Sequence, residues 1–182
     1  MSASDAAGGK ASVSSISNTG GALTWVRVLR TYVQGGTAEI WRAFASASLT
    51  GTVTVTMNRT VPASSVTVVS FAGVATTGTN GSGAIGATAS ANSVAGSPTA
   101  SLVTTRANSW VFGVGDDPDN AVARTIGPNQ TMLHEFPALN GSSFWVQRMD
   151  SKTPVAGTTV TINDTAPATD HYNLGIVEVR TP

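Results

Sequence analysis

The chain has 182 residues, only 11% of them charged, and its ten basic residues balance ten acidic ones. This balance argues against nucleic acid or an anionic lipid surface as a partner. There is no cysteine, which excludes disulfides and thiolate metal sites. No apolar run reaches the ~20 residues that span a membrane, so we expect no membrane insertion. Residues 1–10 predict a flexible N-terminal segment without signal-peptide features, and residues 11–182 predict a single domain.

Short segments rich in Val, Thr, Ile and aromatic residues recur between clusters of Gly, Pro, Asn and Asp. Such segments are typical of antiparallel strands. Residues 25–33 and 37–44 are joined by a short glycine turn and predict a hairpin. Residues 52–57, "TVTVTM", alternate most clearly, with the threonines on one face and the larger apolar side chains on the other.

Further strands are predicted along the rest of the chain. Residues 65–71, "SVTVVSF", form the next one, and residues 84–90 predict a short edge strand within a long tract of small residues. The remaining predicted strands are residues 100–104, 110–114, 131–136, 144–149, 158–162 and 174–179. No segment has a sustained helical period. The fold class is therefore predicted to be all-β: an antiparallel two-sheet β-sandwich, jelly-roll-like, of about ten strands with essentially no helix.

An acidic stretch, "GDDPDNA", interrupts this nearly uncharged chain. Its side chains offer the hard oxygens that calcium prefers, and the stretch "NDTAPATD" offers more. The candidate metal ligands are Asp116, Asp117, Asp119, Asn120, Asp164 and Asp170. Their spacing differs from that of an EF-hand, and Asp and Asn also favour turns in which the side chain accepts backbone hydrogen bonds. A structured turn, a calcium site and a direct ligand or catalytic role all stay open.

Aromatic side chains provide a second kind of candidate site, because rings are the usual contact surface for sugars. The candidate ligand-binding residues are Tyr32, Trp41 and Tyr172. The four tryptophans lie in predicted strands, where large aromatic side chains contribute most to core burial, so we expect two or three of them in the core.

Catalytic signals are weaker. A carboxylate pair in a cleft would indicate glycoside hydrolysis, but Glu39, Glu135 and Glu178 lie within predicted strands. An outward glutamate of a strand is expected to be a solubilising residue, and for Glu178 a strand-pairing salt bridge with an arginine is expected. His134 shares its predicted face with apolar neighbours and is expected to pack against the backbone, and His171 lies in a loop. No nucleophile-elbow motif is present. A carboxylate-dependent hydrolase therefore ranks third, and we expect no enzyme.

Several stretches in a fixed order carry a resemblance to a known family. They are "GALTWVRV" (21–28), "GGTAEIWRA" (35–43), "VTVVSFAGV" (66–74), "NSWVFGVGDDPDNAVART" (108–125), "FWVQRM" (144–149) and "VTINDTAPATDHYNLGIVEV" (160–179). Together they resemble a poorly characterised β-sandwich module of large secreted bacterial proteins, with related versions in phage structural proteins. The resemblance implies a sandwich fold and an additional apolar strand, of a form like "NELLLAFV", before the segment that corresponds to residues 2–9.

The sequence of this chain does not contain that additional strand, which suggests a strand-wide gap in the sandwich. Our expectation is a non-catalytic extracellular structural, adhesive or assembly module that accepts a strand from another chain. The alternative is a carbohydrate-binding module of a secreted enzyme or adhesin. Other protein chains, through strand-edge contact, or glycans are the expected partners. The expected location is extracellular or at a cell surface, or at the virion surface for a phage protein.

Overall fold

The computed structural model describes residues 1–4 and 10–182, and they form almost only β-structure. The strands are β1 (Ser2–Ser4), β2 (Val13–Asn18), β3 (Val26–Thr31), β4 (Thr37–Arg42), β5 (Val53–Met57), β6 (Ala63–Ser65), β7 (Ile85–Gly96), β8 (Thr99–Val103), β9 (Trp110–Asp117), β10 (Thr125–Ile126), β11 (Gln130–Pro137), β12 (Ser143–Met149), β13 (Thr159–Ala166) and β14 (Asp170–Val179). The one helical element in the described ranges is a 3₁₀ segment, Thr79–Ala84. The predicted all-β class is confirmed.

A five-stranded antiparallel sheet, in the order β11-β12-β9-β14-β7, lies at the centre of the molecule. Its inner strands β9 and β14 are buried along almost their whole length. Near-continuous burial means that both faces of these strands are covered, since successive side chains point to opposite faces.

Two further sheets cover the central sheet. On one face, Trp145 and Ile176 pack in a core cluster with Leu102 of β8 and Ile162 of β13, which belong to the sheet β10-β13-β8. On the other face, residues of β9, β12 and β14 pack against the sheet β3-β4-β1-β6. A separate two-stranded ribbon pairs β2 with β5. The predicted sandwich packing is confirmed, with layers on both faces of the central sheet.

Most predicted strands are present, with some shifts. The hairpin is β3–β4, and the predicted edge strand at 84–90 is the longer β7 at the edge of the central sheet. The prediction for residues 65–71 is wrong in its pairing: β6 ends at Ser65, and residues 66–71 have no strand partner in the described part of the chain. Their valine-rich pattern suits a strand, but a strand also needs a neighbour to bond.

The N-terminal residues contribute to the fold. Part of the predicted flexible segment, Ser2–Ser4, forms β1, which pairs with β4 on one side and β6 on the other. Residues 5–9 of that segment lie outside the described residues. Within the described ranges, no helix has the length and apolar character needed to cross a bilayer.

Candidate functional site

The acidic stretch lies where β9 ends. Asp116 and Asp117 are the last residues of the strand and are fully buried. The Oδ1 atom of Asp117 accepts hydrogen bonds from the backbone N–H groups of Asp119 and Asn120, each at 3.1 Å. These bonds are those of an aspartate that closes its own turn. The structured-turn interpretation therefore describes the observed geometry.

A buried arginine supplies the positive charge at this end of the molecule. Nη2 of Arg124 lies 2.5 Å from Oδ2 of Asp117, and Nη1 contacts Oδ2 of Asp170. The guanidinium also lies 4.5 Å from the centroid of the Trp145 ring. All three charged side chains are inaccessible to solvent. Removing one member of such a buried ion pair leaves the other charge uncompensated, which makes the group structurally important.

The neighbouring carboxyl groups have raised pKa values. Burial raises the pKa of Asp164 to about 7, although the Arg124 charge and the nearby Gln147 side chain act to lower it. Burial also raises the pKa of Asp116 well above its usual value, against the smaller opposing effects of Asn173 and Arg124. The pKa of Asp117 is raised as well, again by burial, despite its bond to Arg124. Burial penalises the charged form of each group, because each has left water for a site of low polarity.

The six predicted metal ligands are divided among different environments. Asp117 and Asp170 bind Arg124, and Asn120 donates to Oδ1 of Asp170 at 3.1 Å. Asp119 is exposed and lies 2.5 Å from Nδ1 of His171. In residues 1–4 and 10–182, no three His, Asp or Glu side chains form a group that could hold a metal ion. In these ranges, therefore, no cluster of three such side chains supports the calcium interpretation.

Sequence reasoning missed Arg124, because nothing in the pattern "NAVARTIG" marks an arginine as buried. It also misplaced the glutamates. Glu39 and Glu178 are fully buried, so the outward solubilising role expected of a strand glutamate does not apply to Glu39. Glu39 accepts hydrogen bonds from the Val13 backbone N–H at 2.8 Å and the Trp41 indole N–H at 2.9 Å. A glutamate of β4 thus anchors β2, which belongs to the separate β2–β5 ribbon.

Glu178 is likewise held by hydrogen bonds, and it fixes the loop that contains Thr105 and Arg106. Its carboxylate accepts backbone N–H groups from Ala87, Thr105 and Arg106. Burial acts to raise the pKa of Glu178, but hydrogen bonds to the charged form outweigh it and lower the pKa. These partners are backbone N–H groups and the Thr105 hydroxyl rather than the expected arginine side chain, because a carboxylate with enough donors is stable inside a protein.

The predicted aromatic ligands are not brought together. Tyr32 and Trp41 are half-buried, and each ring has a cation over its face, Arg30 at 4.2 Å for Tyr32 and Arg27 at 5.9 Å for Trp41. Tyr172 is buried in the core cluster on the β8–β13 side of the central sheet, opposite to the β3–β4 side. Of the four tryptophans only Trp145 is fully buried. Carbohydrate binding stays a prediction.

The two histidines play separate parts. Nε2 of His134 lies 2.9 Å from the Ser65 hydroxyl, which connects β11 to the end of β6. The expected partner was a backbone group, and the observed one is a side chain. His171 is partly exposed beside Asp119.

A large apolar groove opens on the other face of the central sheet. We call it the strand groove. Its two walls are residues 39–42 of β4 and residues 66–71, and its volume is about 620 Å³. Its floor consists of apolar side chains of β9, β12 and β14, namely Phe112, Val114, Val146, Val177 and Val179.

One end of the strand groove is occupied by β1. Ser2 lies opposite Ala38 of β4 and also opposite Ser65 of β6, so β1 fills the space between these two strands. Past Met1 the walls continue, but no described strand lies between them. Val68 is 60% exposed and Phe71 is 37% exposed on the unpaired wall. Unpaired backbone and accessible apolar side chains therefore occur at the same place.

Comparisons with protein-family profiles, with curated proteins and with solved structures found no match for this chain. The resemblance to a secreted bacterial β-sandwich module thus stays a prediction. The strand groove offers more accessible surface than the buried acidic end.

Proposed function

We propose that this protein is a non-catalytic extracellular assembly module that binds an extended segment of another polypeptide chain as an added β-strand in the strand groove. The observation that carries the proposal is the position of β1, which pairs with both walls at one end while the walls continue with no strand of the described residues between them. Strand addition to unpaired backbone is a recurring mode of peptide recognition.

The hydrogen-bonding atoms of the β4 wall are directed into the strand groove. The Glu39 backbone N–H donates to the Met1 carbonyl at 2.8 Å, so the Glu39 backbone faces β1. Because backbone groups alternate in direction along a strand, Trp41 is the next residue of β4 to face the groove. Trp41 therefore offers an N–H and a C=O to an added strand.

The second wall has the complementary pattern. The Met1 backbone faces β4, so the Ser2 backbone faces Ser65 on β6. By the same alternation, Thr67 and Val69 direct their backbone groups into the strand groove, whereas Val68 directs its own away from it. Both walls thus offer backbone donors and acceptors, as strand addition requires.

The lining of the strand groove supports a non-catalytic role. Among its described residues the only acidic side chain is Glu39, which is already held by hydrogen bonds from Val13 and Trp41. The carboxyl groups with raised pKa values, Asp116, Asp117 and Asp164, are buried outside it. A glycosidase needs two carboxyl groups facing one cleft, and this lining does not supply them.

Two proline variants test the proposal. Val69→Pro removes an N–H that faces the strand groove, and Val68→Pro removes one that faces away, so the two variants are matched in residue type and segment. The probe is a peptide with six successive Val and Leu residues and a lysine-glycine extension at its N-terminus for solubility, with binding followed by fluorescence anisotropy. We expect Val69→Pro to weaken binding by about tenfold, the effect of one lost buried hydrogen bond, and Val68→Pro to leave it unchanged.

Equal affinities of the two variants would contradict strand addition, because the only designed difference is the direction of the missing N–H. Failure of the unmodified chain to bind the peptide would also contradict the proposal. Circular dichroism of both variants checks that each keeps its β-structure.

A further inference from the structure

We infer that the bound strand runs antiparallel to both walls of the strand groove and is apolar and uncharged at successive positions, not only at alternate ones. This inference rests on the proposed function and specifies the partner. It follows from two features of the structure, the register of β1 and the cover on the outer side of the groove.

The register follows from continuing the line of β1. This strand is antiparallel to β4 and to β6, so a strand that extends its line is antiparallel to both walls. We number the groove positions outward from Met1. Position 1 then lies opposite Ile40 and Thr67, and position 2 lies opposite Trp41 and Val68.

Side chains at odd positions face the floor of the strand groove. Ala38 and Ile40 of β4 pack with Val114 and Val146 of the central sheet. On the second wall, Phe71 packs edge-to-face on Phe112, with ring centroids 5.1 Å apart. Directly opposed residues in an antiparallel pair point to the same face, so position 1, opposite Ile40, has its side chain in this apolar layer.

Side chains at even positions face a second apolar layer. Glu39 and Trp41 point away from the floor, and the Glu39 carboxylate accepts the Val13 N–H of β2 on that side. The β2–β5 ribbon therefore lies over the outer side of the groove, which it lines with Ile16, Val53 and Val55. Position 2, opposite Trp41, has its side chain under this ribbon.

A strand covered on both faces is typically a continuous apolar run, whereas a strand covered on one face alternates. A charged side chain at either kind of position would be removed from water with no opposite charge to compensate it. The charged groups that line the groove already have partners: Glu39 is held by Val13 and Trp41, Arg42 donates to the Thr79 carbonyl at 3.4 Å, and the Met1 ammonium group donates to the Glu39 carbonyl at 3.0 Å. The structure therefore points to an uncharged apolar partner segment.

A charge scan tests the two-sided burial. In the six-residue Val/Leu peptide, the last core residue is at position 1 and the one before it at position 2. We expect lysine at position 1 and lysine at position 2 each to weaken binding by about tenfold or more, because each buries a charge. A third peptide with the extra lysine in the N-terminal extension serves as the control and is expected to bind as the parent does.

Binding that tolerates lysine at position 2 would overturn the two-sided burial and leave strand addition itself intact. Binding that tolerates lysine at both positions would overturn the apolar requirement altogether. Loss of binding by the parent peptide contradicts the proposed function instead, so the two failures are distinguishable.

Disulfide trapping tests the direction of the strand. The chain has no cysteine, so a single Val68→Cys substitution gives one reactive thiol. Position 2 and Val68 form a non-hydrogen-bonded antiparallel pair, whose Cα separation of about 4.5 Å suits a disulfide. A peptide with cysteine at position 2 should crosslink rapidly, and a peptide with cysteine at position 5 should not.

Val103→Cys, at a residue of β8 that is 55% exposed compared with 60% for Val68, is the matched control and should trap neither peptide. Preferential trapping of the position 5 peptide by Val68→Cys would reverse the polarity, and equal trapping of both would show that no single register exists. Either result overturns the inferred orientation.

Discussion

At the scale of single residues, the acidic end is defined by one guanidinium. Arg124 contacts Asp117 and Asp170, which come from different strands, and its plane lies over Trp145. Arginine suits this role because its planar donors match two carboxylates at once. Asp164 lies nearby within the influence of the same charge, and its pKa of about 7 shows that one arginine does not compensate every buried carboxyl group.

The raised pKa of Asp164 predicts a pH-dependent stability. The pKa is about 7 in the folded chain against an ordinary value of 3.8, so between these values the folded state holds a proton that the unfolded state has lost. Through this one group the free energy of unfolding falls by about 1.4 kcal/mol per pH unit as pH rises across that window, and levels off above it. Asp164→Asn lacks this titrating group. Its free energy of unfolding should therefore increase, relative to that of the parent chain, as the pH rises through the window.

Urea denaturation of both proteins at about pH 4.5, 6 and 7.5, across the titration window, measures this difference. The exposed Asp150→Asn variant controls for the loss of one surface carboxylate. Parallel pH profiles of the parent and Asp164→Asn would contradict the assigned pKa shift.

At the scale of elements, the centre of the molecule depends on close approach of β9 to large side chains. A Cβ atom at Gly115 would lie 2.2 Å from the Trp145 ring. Trp145 is fully buried, with Arg124 over its ring, so it has little room to move. Glycine at this position of β9 therefore lets the indole pack directly against the strand.

Gly115→Ala is expected to lower the free energy of unfolding by about 1–3 kcal/mol, the usual cost of overpacking a core. Gly175→Ala in the neighbouring β14 is the comparison, because its added Cβ would meet the flexible end of Leu29 at 3.1 Å. Urea unfolding of the two variants should show the larger loss for Gly115→Ala. A smaller loss at Gly115 would mean that the indole moves more freely than the packing indicates.

The individual strands also show which features of the fold a sequence pattern can predict. Period-two alternation and the glycine turn correctly predicted the β3–β4 hairpin, because both signals are local. The pattern of residues 66–71 equally indicated a strand, but its pairing depends on a neighbour that the pattern does not contain. The short strands β1, β6 and β10 were not predicted, since two or three residues carry no period.

At the scale of the whole molecule, the contrast between the acidic end and the strand groove gives a stability prediction. Only a ligand that binds the folded state raises its stability. In the described ranges Arg124 supplies the positive charge between Asp117 and Asp170, and no metal-binding group of three side chains occurs. We therefore expect EDTA to leave the melting temperature unchanged.

Calorimetry with EDTA, and with EDTA already saturated with calcium, measures this effect separately from that of ionic strength. A melting temperature that is lowered by EDTA but not by calcium-saturated EDTA would indicate that calcium binds at the acidic end. The apolar Val/Leu peptide, by contrast, should raise the melting temperature in proportion to its occupancy of the strand groove.

The sequence by itself determined the all-β class and most strands, because alternation acts between residues close in the chain. At the acidic stretch it left a structured turn open beside a calcium site and a ligand or catalytic role. Only the tertiary structure decided that Arg124 joins Asp117 to Asp170, that Glu39 is buried, and that β4 and residues 66–71 flank an open groove. These features join residues dozens of positions apart. They depend on the order and register of strands within the sheets, which a local pattern does not encode.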